Sequence, residues 1–240
     1  MKRFNSIFRF KQFHIQQTEG VFRLGTDAVL LGSWASLQTN GNAILDVGTG
    51  TGIVGFMAAQ RTERHVIGID VAPDAIRSAN LNRDSNPWRQ RISFHCSSVE
   101  SFEPELKLDD ILMNPPYFLN HTPNAIPTLN VARHGDADLP QRWLQSPAVI
   151  SNPDVQIHLI LPTASFVLWQ RTWELLGWTL IRRQSVQGRR NGPVIRQLIC
   201  LGKKGLAEQE TEPKHVYEID GARSAWYQSL TEGFYLDVDR

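Results

Sequence analysis

Cysteine is nearly missing from this chain. Cys96 and Cys200 are its only two, far apart and without Cys-x-x-Cys or metal-ligand spacing. That excludes a disulfide scaffold, a thiolate metal cluster and a dithiol redox centre. Both lie in apolar, strand-like runs, so the expectation is two buried thiols in a reducing compartment. Long apolar runs are missing too, which excludes a bilayer-spanning helix. The N-terminus, Met1–Phe10, opens like an export signal, but Arg9 and Lys11 break the stretch that would have to be apolar. The reading is a cytoplasmic protein. Strong net charge is missing as well: 25 Lys and Arg oppose 24 Asp and Glu, giving +1. Bulk charge therefore announces no polyanionic partner. No internal repeat or low-complexity linker interrupts the 240 residues, which suffice for one α/β domain with a full core.

What is there is unevenly placed. Arg171, Arg182, Arg183, Arg189, Arg190, Arg196, Lys203 and Lys204 fall in one stretch whose only acid is Glu174. Beyond it, at 205–240, acids dominate. Such a run is either a solvated charged face or a local patch for a selective anionic partner. Short apolar runs alternate with amphipathic ones. Asn42–Val47, His65–Asp70, Arg91–Cys96, Asp109–Met113 and Val155–Leu161 read as strands. Residues 52–61, Pro73–Asn86, Leu139–Ile150 and Thr163–Leu176 read as helices. Trp178–Gln184 and Val194–Leu201 read as a strand pair around a loop. This alternation predicts an open, mostly parallel sheet with helices on both faces and an antiparallel edge. The expected organisation is a single domain, with a leading segment at 1–41, a core at 42–204 and an acidic extension at 205–240.

Ligands on such sheets sit beyond the carboxyl ends of the strands. One strand ends there in Asp46-Val47-Gly48-Thr49-Gly50-Thr51-Gly52. Glycines permit positive φ and close approach of backbone to a ligand. Asp46 is placed to reach a ligand amine. Asp70 ends the next strand, 24 positions later, where a carboxylate can accept from ribose hydroxyls. The loop also matches the dinucleotide pattern Gly-x-Gly-x-x-Gly, so alone it does not choose a cofactor. Asp46 suits an ammonium, as in S-adenosylmethionine, better than a pyrophosphate. Thr26 or Asp27 either caps the apolar helix that follows it or closes over the cofactor. Ser98, after the third strand, is a further position facing the same ligand.

Asn114-Pro115-Pro116-Tyr117 follows another strand directly. Two prolines stiffen the turn and push the residue before them towards extended geometry. The Asn114 amide and the Pro115 carbonyl can both accept hydrogen bonds from an –NH2 group, and Tyr117 offers a face for stacking a base. Transfer of a methyl from a sulfonium to such an amine needs alignment more than acid–base help, and no metal. The alternative is a turn in which the prolines only end the strand.

With these residues placed, the chain resembles Rossmann-like class I methyltransferases of the Asn-Pro-Pro-Tyr type. Within them it resembles the tRNA1(Val) adenine-37 N(6)-methyltransferase family. Four features carry this: Phe10–Gln17; the helix Leu24–Ala35; the glycine loop with Asn-Pro-Pro-Tyr-Phe; and Ala132-Arg133-His134. The resemblance implies a seven-stranded sheet, S-adenosylmethionine as cofactor, and adenine in the anticodon loop of a tRNA as acceptor. It further implies that Arg133 and His134 hold a phosphate or position the flipped base. Arg189 and Arg190, beside glycines at a strand tip, could meet backbone phosphates. Leu24 and Ser98 depart from the lysine and the acid usual at those positions. Other readings remain open: a release-factor glutamine methyltransferase, a ribosomal RNA guanine methyltransferase, a non-catalytic RNA-binding module, and, weakest, a nicotinamide dehydrogenase.

Overall fold

A computed structural model describes residues 6–17, 24–116, 138–203 and 211–236. The elements run β1 (Ser6–Arg9), β2 (His14–Gln17), α1 (Thr26–Trp34), β3 (Ala43–Val47), α2 (Ile53–Arg61), β4 (His65–Asp70), α3 (Pro73–Asp84), β5 (Ile92–Cys96), β6 (Leu108–Met113), α4 (Leu139–Gln145), α5 (Pro147–Ile150), β7 (Ser151–Pro162), α6 (Phe166–Leu175), β8 (Thr179–Arg189), β9 (Val194–Gly202), β10 (Lys214–Tyr217) and α7 (Ala225–Thr231). Eight strands form one sheet in the order β10-β8-β9-β7-β6-β3-β4-β5, and β1 and β2 form a separate hairpin. β9 is antiparallel to both neighbours, and every other pairing in the sheet is parallel.

Period-two alternation splits the core between two faces. Ile44, Leu112, Ile160 and Leu198 point to the side covered by α1, α2, α3 and the hairpin. Leu45, Ile111, Leu159 and Ile199 point to the side covered by α4 and α6, where Trp143, Trp169 and Trp173 fill the space. Strands buried on both faces explain why the sequence reads as short continuous apolar runs.

Four departures from the sequence reading have physical causes. The sheet has eight strands, not seven: β10, from the acidic extension, adds in parallel to β8, with Lys214 opposite Val186 and Tyr217 opposite Arg189. The helix expected at Leu139–Ile150 is broken after Gln145, because Pro147 cannot donate to the preceding turn. Cys200 is buried but Cys96 is exposed. Cys96 ends the outermost strand, and no helix follows it before β6 to cover that end. The basic run is dispersed rather than gathered. Strand alternation sends Arg182 onto the Trp34 ring at 3.8 Å on one face and Arg183 onto the Phe166 ring at 4.2 Å on the other. Lys203 lies over Trp178, leaving the exposed Arg189 and Arg190 at the β8–β9 tip.

A buried polar cluster ties the amino ends of the strands together. Asp110 accepts from Arg64 (2.6 Å), the Gln38 amide (3.0 Å) and His158 (3.2 Å). These hydrogen bonds and the adjacent guanidinium outweigh burial and hold the Asp110 carboxyl below its ordinary range. Asp109 caps the start of β3 through the Asn42 and Ala43 amides.

Candidate methyl-transfer site

The site lies at the opposite end, where the strand order reverses. β3 connects through α2 to β4 on one side and lies beside β6 on the other, so a crevice opens between β3 and β6 at their carboxyl ends. Val47 pairs with Met113. The glycine loop and Asn114 are therefore the next residues of adjacent strands.

The loop is held by its neighbours. The Gly48 and Thr49 amides donate to the Ile69 carbonyl at 2.9 and 3.0 Å. Gly48, Gly50 and Gly52 have φ of 70°, 56° and 87°, the left-handed region that side chains disfavour. A Cβ on Gly52 would come within 2.8 Å of Phe94, whereas one on Gly50 would meet nothing within 4 Å. The loop is thus packed at Gly52 and open at Gly50, which is what a ligand lying across its middle requires. Trp143 of α4 backs Gly48 on the far side.

Asp46 is 2% exposed. Its Oδ2 accepts from the Thr49 hydroxyl at 2.6 Å and the Gly55 amide at 3.0 Å. Both bonds end on one oxygen, leaving Oδ1 for a ligand. Burial pushes its carboxyl up to about 6, partly offset by those two bonds, and the Asp70 charge adds to the rise. Asp70 accepts from the Gly50 amide (3.0 Å) and the Ala72 amide (2.9 Å), and burial raises its carboxyl as well. Two carboxylates thus brace the loop from either side, each kept partly dry.

Thr26 opens α1, but neither it nor Asp27 caps the helix. Gly25 is the N-cap, without a side-chain bond. Asp27 instead pairs with Arg196 of β9 at 2.8 Å. Ser98 accepts from the Ser101 amide (3.3 Å) and bonds its hydroxyl (3.2 Å) in a local turn after β5. Asn114 and Pro116 are partly buried and Pro115 buried. Tyr117, Arg133 and His134 lie outside the described residues. β8 runs parallel to β7, so Arg189 and Arg190 stand at the same end of the sheet as Asn114, three strands across (roughly 14 Å at the usual spacing) and, since Met113 aligns through Leu159 and Ile199 with Arg183, about 17 Å further out along the strand direction. Arg190 is paired with Glu218 at 3.4 Å and Arg189 donates to the Ile219 carbonyl. Among the described residues, no group of His, Cys, Asp and Glu could hold a metal ion, and no helix is long and apolar enough to cross a membrane.

Two contributors were not anticipated from the sequence. Arg196 was counted only within the basic run. Asn82 of α3 is fully buried and bonded to the loop, with Nδ2 3.0 Å from the Thr51 carbonyl. A polar residue on the helix face shared by Ala75, Ile76 and Ala79 was the signal that could have found it.

The fold defines a class. A protein of Agrobacterium tumefaciens described as a predicted O-methyltransferase is similar over 88% of this chain and all of its own, with a TM-score of 0.66 at 19% identity. TYW2 of Pyrococcus horikoshii, solved in complex with MeSAdo, is similar over 85% of this chain and 73% of its own, with a TM-score of 0.59 at 13% identity. The architecture is that of class I methyltransferases. The methyltransferase small domain family matches residues 13–133. A Tolumonas auensis protein is 34% identical, covering 95% of this chain and 96% of its own length. One from Vibrio campbellii is 35% identical, covering 96% of each. Both relatives are named tRNA1(Val) (adenine(37)-N6)-methyltransferase, and the chain belongs to that family within the small-domain methyltransferases.

Proposed function

We propose that this chain transfers the methyl group of S-adenosylmethionine to the exocyclic N6 of adenine in tRNA, at adenine 37 beside the anticodon of a valine tRNA. The observation that carries the reading is the juxtaposition of the open glycine loop with Asn114 across the β3–β6 crevice. The names of the relatives support adenine over a glutamine side chain or guanine. An anticodon loop is single-stranded and can release a base into a pocket.

The residues divide the work. The loop and the Thr26–Asp27 turn hold the cofactor, with Asp46 towards its amine, Asp70 towards its ribose and Ser98 beside its adenine. Once bound, S-adenosylmethionine supplies a methyl on a positively charged sulfur. The Asn114 side-chain oxygen and the Pro115 carbonyl accept hydrogen bonds from the acceptor –NH2, which turns its lone pair towards the methyl carbon. Pro116 keeps that rim stiff and Tyr117 stacks on the base. Arg133 and His134 hold the flipped nucleotide, and Arg189 and Arg190 meet phosphates. Oriented dipoles also favour the charge growing on nitrogen, and the surplus proton leaves to water.

The test is incubation of the protein with labelled cofactor and total RNA lacking the modification, followed by mapping of the methylated nucleoside. N6-methyladenosine at position 37 is expected; label in guanine or in protein would overturn the assignment. Asn114→Ala should abolish transfer and leave cofactor affinity within about twofold, and full activity in that variant would remove Asn114 from the mechanism.

A further inference from the structure

The hairpin β1–β2 is clasped by two asparagine side chains four residues apart, Asn82 in the last turn of α3 and Asn86 two residues past its end. Asn82 Oδ1 accepts from the Gln16 amide at 2.8 Å, and its Nδ2 donates to the Gln16 carbonyl at 3.2 Å. Asn86 repeats the pattern on His14, accepting at 3.0 Å and donating at 2.9 Å. His14 and Gln16 are two apart, so their backbone groups face the same way along β2. The two carboxamides therefore take the place of a further strand on the outer edge of β2. Asn86 gives its remaining N–H to the Asn82 backbone carbonyl at 2.7 Å, whereas Asn82 reaches beyond the helix. Its second N–H reaches the carbonyl of Thr51, between Gly50 and Gly52 in the loop. One fully buried side chain thus bonds both the hairpin and the loop, and all of its bonds are made to backbone.

We propose that Asn82 is a positioning residue that fastens the glycine loop and the N-terminal hairpin into one unit, so that cofactor on the loop and docking of the hairpin favour each other. The inference rests on the reading that this loop binds S-adenosylmethionine. Its physical ground is the Thr51 carbonyl. Removing the Asn82 amide strips a buried acceptor of its donor and frees a loop whose conformation depends on three residues at positive φ. Coupling of this kind is reciprocal: whatever hairpin docking adds to cofactor affinity, cofactor adds to hairpin docking.

Asn86 provides the comparison, since it clasps the same strand and reaches the loop only at second hand, its Nδ2 donating to the Asn82 backbone carbonyl at 2.7 Å rather than to Thr51. Affinity for S-adenosylhomocysteine, measured by calorimetry, should fall about tenfold in Asn82→Ala and stay within about twofold in Asn86→Ala, at comparable losses of melting temperature. Asn82→Asp, of the same shape, sets a carboxylate oxygen against two carbonyls and should bind at least as poorly as Asn82→Ala. Hydrogen exchange on the unmodified protein needs no variant to fold. The Gln16 amide should exchange more slowly when S-adenosylhomocysteine is added. Equal affinities in the Asn82 and Asn86 variants, or Gln16 exchange indifferent to ligand, would overturn the coupling while leaving the cofactor site standing. Failure of the unmodified protein to bind the ligand at all would instead overturn the cofactor reading, and this inference with it.

Discussion

Asp46 makes the cofactor site sensitive to pH in a calculable way. Its carboxyl is pushed up to about 6 by burial, more than two units above the value of 3.8 for a free aspartate. Pairing with the ammonium of S-adenosylmethionine requires the ionised form, so binding near neutral pH must displace any proton held there. At pH 6 the group is about half protonated and binding should release about half a proton; at pH 8 the release falls to roughly a hundredth. As far as Asp46 sets it, affinity should be about tenfold weaker at pH 5 than at pH 7. The unliganded fold moves the other way. A carboxyl raised in the native state stabilises fully below the unfolded value near 4 and loses that contribution as pH rises through about 6. The difference is on the order of 2–3 kcal/mol. Cofactor should therefore raise the melting temperature more at pH 7.5 than at pH 5. Calorimetry in buffers of different ionisation enthalpy at pH 6 reads the proton release directly. Asp46→Asn should remove most of it. An observed enthalpy independent of buffer, with equal affinity at pH 5 and pH 8, would refute the ammonium contact.

Two glycine substitutions should separate ligand space from packing. Gly50→Ala adds a methyl group in open space at φ 56°, costing roughly 1–2 kcal/mol of stability while reducing cofactor affinity at least tenfold. Gly52→Ala meets Phe94 and Phe56 and should cost roughly 2–4 kcal/mol in denaturant unfolding; the reverse ranking in stability would contradict the loop geometry. Replacing Arg189 and Arg190 together by Ala should weaken tRNA binding and flatten the slope of log affinity against log salt by about 1.4, from two phosphate contacts to single-stranded RNA. An unchanged slope would leave the hairpin tip without a role in RNA binding.

The parts of the fold legible in the sequence were those with local causes. His65–Asp70 is a strand over its full expected length, and α3 begins at Pro73, because β-branched runs and an N-terminal proline act within a few residues. Gly48, Gly50 and Gly52 were legible because positive φ has few other solutions. What stayed hidden depends on distant partners. Nothing near Asp27 in sequence announces Arg196, 169 positions away. Arg182 and Arg183 are neighbours in the chain yet lie on opposite faces of a sheet. The short strand β10 gains its identity from β8 rather than from its own four residues. Asn82 announces its burial by its place on the helix, but not the carbonyls it serves.

That annexed strand bears on how the molecule behaves in a crowd. β8 is eleven residues long and would otherwise end the sheet with open backbone groups, a template for pairing with another copy. β10 covers the Val186–Arg189 part of it, and just before it the Gln184 side chain donates through Nε2 to the Glu212 carbonyl. The chain then closes behind its own new edge. Ser224 returns to donate to the Val216 and His215 carbonyls, and Arg223 bridges Tyr217. The segment thus keeps the sheet from growing, and its removal is expected to surface as self-association in light scattering.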